Sequence, residues 1–244
     1  MSKSILHKAD SRGLANHGWL KSRHTFSFAD YYNPERVNFG ALRVLNDDYV
    51  EGGMGFSTHP HDNMEIISIP LEGDLEHKDS MGNTGIIKKG DIQVMSAGTG
   101  VHHSEHNKNA HTPVKFLQIW IFPNERGVKP RYGQVTLDTA ERQNKLQQIV
   151  YPYKESLSLT EDKGVWIHQN AWMNLGDFDE NISTKYSLHN SGNGVYFFVI
   201  RGSFEIEDTK LAERDGFGVW DTDEINIKST TNNGELLVIE VPMN

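Results

Sequence analysis

Three apolar runs stand out from an otherwise polar chain: Met64 to Leu71, Asp91 to Met95 and Val114 to Phe122. Glycine-centred turn signals separate runs of this kind, at Glu72-Gly73-Asp74, Met81-Gly82-Asn83 and Lys89-Gly90-Asp91. Many short β-prone runs punctuated by turns predict an all-β sandwich or barrel. The best helical candidate is Leu137 to Ile149, a short and polar segment.

The pattern recurs. Glu65-Ile-Ile-Ser-Ile-Pro-Leu-Glu-Gly73-Asp-Leu-Glu76 resembles Tyr196-Phe-Phe-Val-Ile-Arg-Gly202-Ser-Phe-Glu205: an apolar strand, a glycine turn, then a polar strand. Gly90-Asp91 has a looser echo in Asp215-Gly216. Two similar all-β domains are the economical reading, joined between Pro130 and Thr139 and divided as residues 1–133 and 134–244. The second copy has the scaffold but lacks the histidine pairs.

Composition narrows the classes. The chain has 244 residues, 36% of them hydrophobic, and 22 glycines, enough for a turn-rich globular protein with a real core. No stretch approaches the roughly 20 apolar residues that span a bilayer, and the first residues lack the apolar core of a signal peptide. There are no cysteines, which excludes disulfides and thiolate-bound metals. The expected location is cytoplasmic, with no membrane partner. The net charge of −9 argues against direct nucleic-acid binding, which needs a basic surface.

The histidines are uneven: ten of the twelve precede residue 112, so metal chemistry belongs to the first half. His59-Pro-His61 and His103-Ser-Glu105 each place two potential ligands at i and i+2, on one face of a strand. Two such strands facing each other close three imidazoles and one carboxylate around a divalent ion. The same period turns His102 and Ser104 away. Glu65 is either a further ligand or a strand carboxylate, and Asp62 and His77 read as surface or turn residues. Ligands without sulfur suit iron, manganese, nickel, copper or zinc. One divalent transition metal is expected, Fe(II) first, and cobalt also fits. Phe26, Phe28, Phe56 and Trp120 are either barrel packing or the wall of an apolar pocket. His168 and His189 read as surface or core histidines.

Gly53, His59-Pro-His61, Glu65 and Gly73 resemble the first motif of the cupin superfamily, with one extra residue between Glu65 and Gly73. The second motif departs further, with Ser96 where many cupins carry proline. Taken together, several segments resemble the pirin family: Arg23-His-Thr-Phe-Ser-Phe-Ala-Asp-Tyr31, Leu71-Glu-Gly73, Glu76-His-Lys-Asp-Ser80, Met95-Ser-Ala-Gly-Thr-Gly100, His103-Ser-Glu105, Gln118-Ile-Trp-Ile121 and Pro130-Arg-Tyr132. The likeness is dense over residues 20–133 and thin afterwards.

The resemblance implies two cupin-type antiparallel β-barrels, the second without metal, and few short helices. It implies an iron-type site of His59, His61, His103 and Glu105, with Glu65 outside it. Bacterial members are similar to quercetin 2,3-dioxygenases, which open a flavonol ring with O2 and release carbon monoxide. Animal members act as nuclear redox-sensitive coregulators. The expected function is therefore a dioxygenase acting on a flavonol-like aromatic substrate, with Glu105 also accepting the substrate's hydroxyl proton. The alternative is a metal-binding regulatory protein acting through a protein partner.

Overall fold

The computed structural model of the protein describes residues 2–158 and 163–243. The first half contributes twelve strands: β1 (Lys3–His7), β2 (Gly13–Asn16), β3 (Leu20–His24), β4 (Leu42–Val50), β5 (Gly55–His61), β6 (Glu65–Glu72), β7 (Asp74–Asp79), β8 (Thr84–Lys88), β9 (Asp91–Ser96), β10 (Val101–Asn107), β11 (Val114–Ile121) and β12 (Arg131–Thr136). The second half follows with β13 (Gln147–Pro152), β14 (Val165–Ile167), β15 (Trp172–Phe178), β16 (Ser183–Ser187), β17 (Asn193–Arg201), β18 (Phe204–Ile206), β19 (Thr209–Leu211), β20 (Gly216–Trp220), β21 (Glu224–Ser229) and β22 (Gly234–Pro242).

Each half is a seven-stranded sheet closed over by a four-stranded one. The first barrel has the orders β12-β9-β6-β11-β4-β3-β2 and β5-β10-β7-β8. The second has β1-β20-β17-β22-β15-β13-β14 and β16-β21-β18-β19. Among the described residues the pairings between these strands are antiparallel except β13 with β14. The internal repeat is structural: Gly73 links β6 to β7 and Gly202 links β17 to β18, both in the left-handed region at φ 78° and 81°. β1 leaves the first half and pairs with β20, covering an edge of the second barrel's large sheet. The expected division after residue 133 falls inside β12, which pairs with β9 along its whole length, from Arg131 opposite Ser96 to Thr136 opposite Asp91.

The two seven-stranded sheets share one core. Leu45, Ile67, Ile69, Leu117 and Ile119 pack in the same cluster as Met173, Leu175, Tyr196, Phe198 and Ile239. The alternate residues of the first sheet turn into the first barrel, so Ile66 and Ser68 on β6 and Phe116 and Trp120 on β11 lie on its inner face. Strands buried on both faces read as continuous apolar runs, as β6, β9 and β11 do. In the second barrel, Phe197, Phe204, Phe217, Leu236 and Val238 form a solid apolar interior.

The expected helix over Leu137 to Ile149 does not form. Asp138 caps a single 3-10 turn, Thr139–Arg142, by accepting from the backbone N–H of Ala140. Asn144 then adopts φ 57°, outside the helical region, and the chain extends into β13. The α-helix among the described residues is one turn, Tyr153–Ser156, and no helix there is long and apolar enough to cross a membrane.

Candidate metal centre

β5 and β10 run antiparallel in the small sheet of the first barrel, with His103 directly opposite His59 and Val101 opposite His61. Their approach is close. A Cβ at Gly55 would collide with the backbone of Glu105 and His106. Gly98, at φ 47°, tightens the turn before β10, where a Cβ would strike the carbonyl of Val128. On β10 the side chains alternate as the period-two reading expects. His103, Glu105 and Asn107 are buried, whereas His102 is exposed.

The three imidazoles converge. Ring centroids lie 4.8 Å apart for His59 and His61, 4.5 Å for His59 and His103, and 4.9 Å for His61 and His103. One nitrogen from each lies within 4.8 Å of the others. The Nε2 atoms of His61 and His103 are buried without a hydrogen-bond partner. His59 Nδ1 lies 2.8 Å from the carbonyl of Ser57, so that nitrogen carries the proton and Nε2 keeps its lone pair.

His77 and Asp79 fix the tautomer of His103. Burial works against charge on Asp79, but hydrogen bonds from Asn83, His77 and Met81 outweigh it and hold the carboxyl below its ordinary range. An ionised Asp79 accepts Nε2–H of His77 at 3.3 Å. His77 Nδ1 is then the acceptor for Nδ1–H of His103 at 3.4 Å, which leaves His103 Nε2 as a lone pair. Burial, together with the neighbouring histidines, lowers His103 to about 2 and His61 to about 4, so both imidazoles are neutral at neutral pH. Unpartnered lone pairs on converging neutral imidazoles are a donor set that fits a divalent transition metal.

Glu105 points into the same barrel. Its carboxylate accepts from Gln118 Nε2 at 2.8 Å and Ser68 Oγ at 3.2 Å. It groups with His77 and His103 rather than with His59 and His61. Glu65 faces the other way, towards the second half. It accepts from Ser96 Oγ at 2.7 Å and from the backbone at His168, and burial pushes it up to about 7.

Beside the histidines lies a cavity of about 410 Å³, lined by Trp19, Leu20, Phe28, Phe56 and Trp120 together with His59, Glu105 and Gln118. Its size falls among pockets for small organic ligands, roughly 300–1,000 Å³. The Trp120 ring meets those of His61 and Phe28 edge-on, at 4.9 and 5.2 Å. Of the aromatics singled out from sequence, Phe28, Phe56 and Trp120 line this cavity, whereas Phe26 belongs to the core between the barrels.

Two expectations need correction or completion. His77 is neither a surface nor a turn residue: it is fully buried on β7, against His103 and Tyr132. The signal was present in Leu75-Glu-His-Lys-Asp79, where charged Glu76 and Lys78 alternate with residues that must then turn inward. Ser68 and Gln118, which hold Glu105, carried no such signal. Asp62 is exposed, as expected. His189 stacks on Trp172 and bonds Glu240 at 2.8 Å, and His168 sits among Tyr153 and Trp166. Among the described residues, both convergent groups of potential ligands lie in the first barrel.

Comparison with known proteins gives a consistent picture. Residues 7–121 match the family described as Pirin, and residues 157–241 match the quercetinase C-terminal cupin domain. The chain is 41% identical to the quercetin 2,3-dioxygenase of Escherichia coli (strain K12), over 97% of this chain and 98% of that protein. It is 42% identical to a putative quercetin 2,3-dioxygenase of Pseudomonas aeruginosa, over 95% and 97%. It superposes on the crystal structure of the bacterial pirin YhhW from Escherichia coli in complex with nickel(II), with a TM-score of 0.91 and 38% identity, covering 99% of this chain and 100% of that one.

Proposed function

The chain belongs to the pirin family, and from that premise we propose that it is a metal-dependent dioxygenase that opens a flavonol such as quercetin with O2. The observation that carries this reading is the convergence of His59, His61 and His103, with the Nε2 atoms of His61 and His103 unpartnered, at the edge of an aromatic-lined cavity. A histidine-rich site alone would serve a structural metal. An aromatic-lined cavity beside it suits an aromatic substrate.

In this proposal His59, His61 and His103 hold one divalent ion, with Glu105 as the fourth ligand, in a first barrel that ends with β12. The second barrel carries no metal. Fe(II) is the ion we favour, because nitrogen and oxygen ligands without sulfur suit it and leave room for substrate and O2. When bound, the ion supplies a Lewis acid that lowers the pKa of a coordinated enolic hydroxyl. Glu105, oriented by Gln118 and Ser68, accepts the proton of that hydroxyl. Trp120, Phe28 and Phe56 supply the apolar lining against which the ring system packs and which keeps water from it. Aerobic incubation of the Fe(II)-loaded protein with a flavonol panel tests the reading: it predicts loss of the flavonol absorbance band. Persistence of every flavonol would refute it.

A further inference from the structure

The large-sheet wall of the cavity carries polar groups that the proposed chemistry does not use. Cross-strand register sets His24 opposite Asn46, Asn46 opposite Gln118, and Gln118 opposite Ser68. This is one polar row across β3, β4, β11 and β6, and Ser22 and Asp48, opposite each other on β3 and β4, extend the polar patch on the same inner face. Gln118 and Ser68 are occupied in holding Glu105. His24 and Asn46 are not, and Asp48 is the next inward-facing residue on β4.

These three side chains are 2%, 3% and 5% exposed, and all line the cavity. His24 Nδ1, Asn46 Oδ1 and Asp48 Oδ1 are buried with no hydrogen-bond partner. Leaving a buried polar group unpaired costs about 1–3 kcal/mol. Three on one wall of a cavity point to a ligand that supplies the missing bonds.

We infer that His24, Asn46 and Asp48 form a subsite for hydroxyl groups of the aromatic substrate other than the one directed at the metal. The inference rests on the proposed dioxygenase reading and narrows its substrate class to polyhydroxylated aromatics. The chemistry of the wall selects hydroxyls. The cavity lining contains no lysine or arginine among the described residues, so away from the metal a carboxylate or phosphate finds no permanent cation to pair with. Burial pushes Asp48 up to about 7, against the pull of the Ser22 hydroxyl and with the Asp47 and Glu105 charges adding to the rise. Burial and the Arg12 and His17 charges lower His24 to about 4, so it stays neutral. A carboxyl that titrates near neutral pH, a neutral imidazole and an amide offer both donors and acceptors, as a phenolic hydroxyl requires. The edge of Phe28 against the His24 ring at 5.2 Å brings an aromatic surface to the same place.

The test compares quercetin with 3-hydroxyflavone, which keeps the enolic hydroxyl and lacks the others. Binding to Fe(II)-loaded protein is followed under argon, so that no turnover occurs, by quenching of tryptophan fluorescence. The wild-type protein should bind quercetin at least about tenfold more tightly, the worth of one or more well-formed hydrogen bonds. Asp48→Leu should collapse that ratio to within about twofold without weakening 3-hydroxyflavone, and Asp48→Asn, which keeps a donor, should retain it. Asn46→Leu makes the same test if Asp48→Leu fails to fold. Equal wild-type affinities, or a ratio unchanged in the leucine variants, would overturn the subsite while leaving dioxygenase activity intact. A wild-type preference without any O2 consumption in air would sustain the subsite and refute the dioxygenase. Binding of neither compound would overturn both.

Discussion

The Nδ1 atoms of His103 and His77 face each other at 3.4 Å inside the first barrel, and His77 Nε2 lies 3.3 Å from Asp79. A carboxylate–imidazole–imidazole chain therefore ends at the lone pair of His103 that points towards His59 and His61. Partners of this kind orient metal-binding histidines and typically account for about 10–100-fold in metal affinity. Replacing His77 with phenylalanine keeps the ring against Tyr132 and removes the acceptor. Competition with a chromophoric chelator should show a drop of at least about tenfold in metal affinity. An unchanged affinity would show that His103 orients itself.

The exposed and buried members of the histidine pair should separate cleanly. His103→Ala removes a converging imidazole and should abolish stoichiometric metal, whereas His102→Ala alters a solvent-facing side chain and should retain one equivalent per chain. Metal analysis after gentle purification is the check. Metal kept by His103→Ala and lost by His102→Ala would place the ligand set one residue out of register.

Glu65 should affect stability rather than metal content. Its carboxyl is raised from 4.5 to about 7, chiefly by burial. The folded state therefore binds the proton more tightly than the unfolded chain. That contribution is fully present below about pH 4.5 and is lost as pH rises through about 7. Glu65→Gln removes it, so the stability of the variant relative to wild type should improve from pH 5 to pH 8, by on the order of 2 kcal/mol. His7 and His24, lowered to about 4 chiefly by burial, act oppositely: their contribution is present above pH 6.5 and lost as pH falls through about 4. They are common to both proteins and cancel in the comparison. Urea titrations of metal-free protein at several pH values measure it, and a pH-independent difference would contradict the assignment. Metal stoichiometry should remain at one equivalent.

The second barrel should act as scaffold. Phe204→Ala opens a cavity among Phe178, Phe197 and Phe217 and should cost about 3–5 kcal/mol. At a temperature where the variant remains folded, it should still bind one equivalent of metal. A loss of metal without unfolding would show that the two barrels share the site.

Much of this organisation is legible in the sequence because it follows from the two-residue period of a strand. The period places His59 beside His61 and His103 beside Glu105, and turns His102 outward. The β6, β9 and β11 runs are plain because both faces of those strands are buried. Other features depend on tertiary context. His77 sits among charged neighbours, and only knowledge that Asp74–Asp79 is a strand would turn it inward. His24, Asn46 and Asp48 lie on two strands whose cross-strand register no single segment encodes. The polar spacing of Leu137 to Ile149 suits a helix as well as an irregular link, and the strand pairing of Gln147–Pro152 decides between them. The orientation of Glu65 depends on the second half covering β6, where its carboxyl meets Ser96 and the backbone at His168.

The central claim is metal-dependent ring opening of a flavonol by O2, and its most direct test is stoichiometry. Fe(II)-loaded protein is mixed with quercetin in air-saturated buffer, and O2 uptake, quercetin loss and carbon monoxide release are recorded together. The proposed reaction, as the family resemblance implies it, consumes one O2 and releases one carbon monoxide per quercetin, and its rate should fall at least about 100-fold in His61→Ala, which lacks one of the three converging imidazoles. Quercetin loss at the same rate in wild type and His61→Ala, or without carbon monoxide, would contradict it.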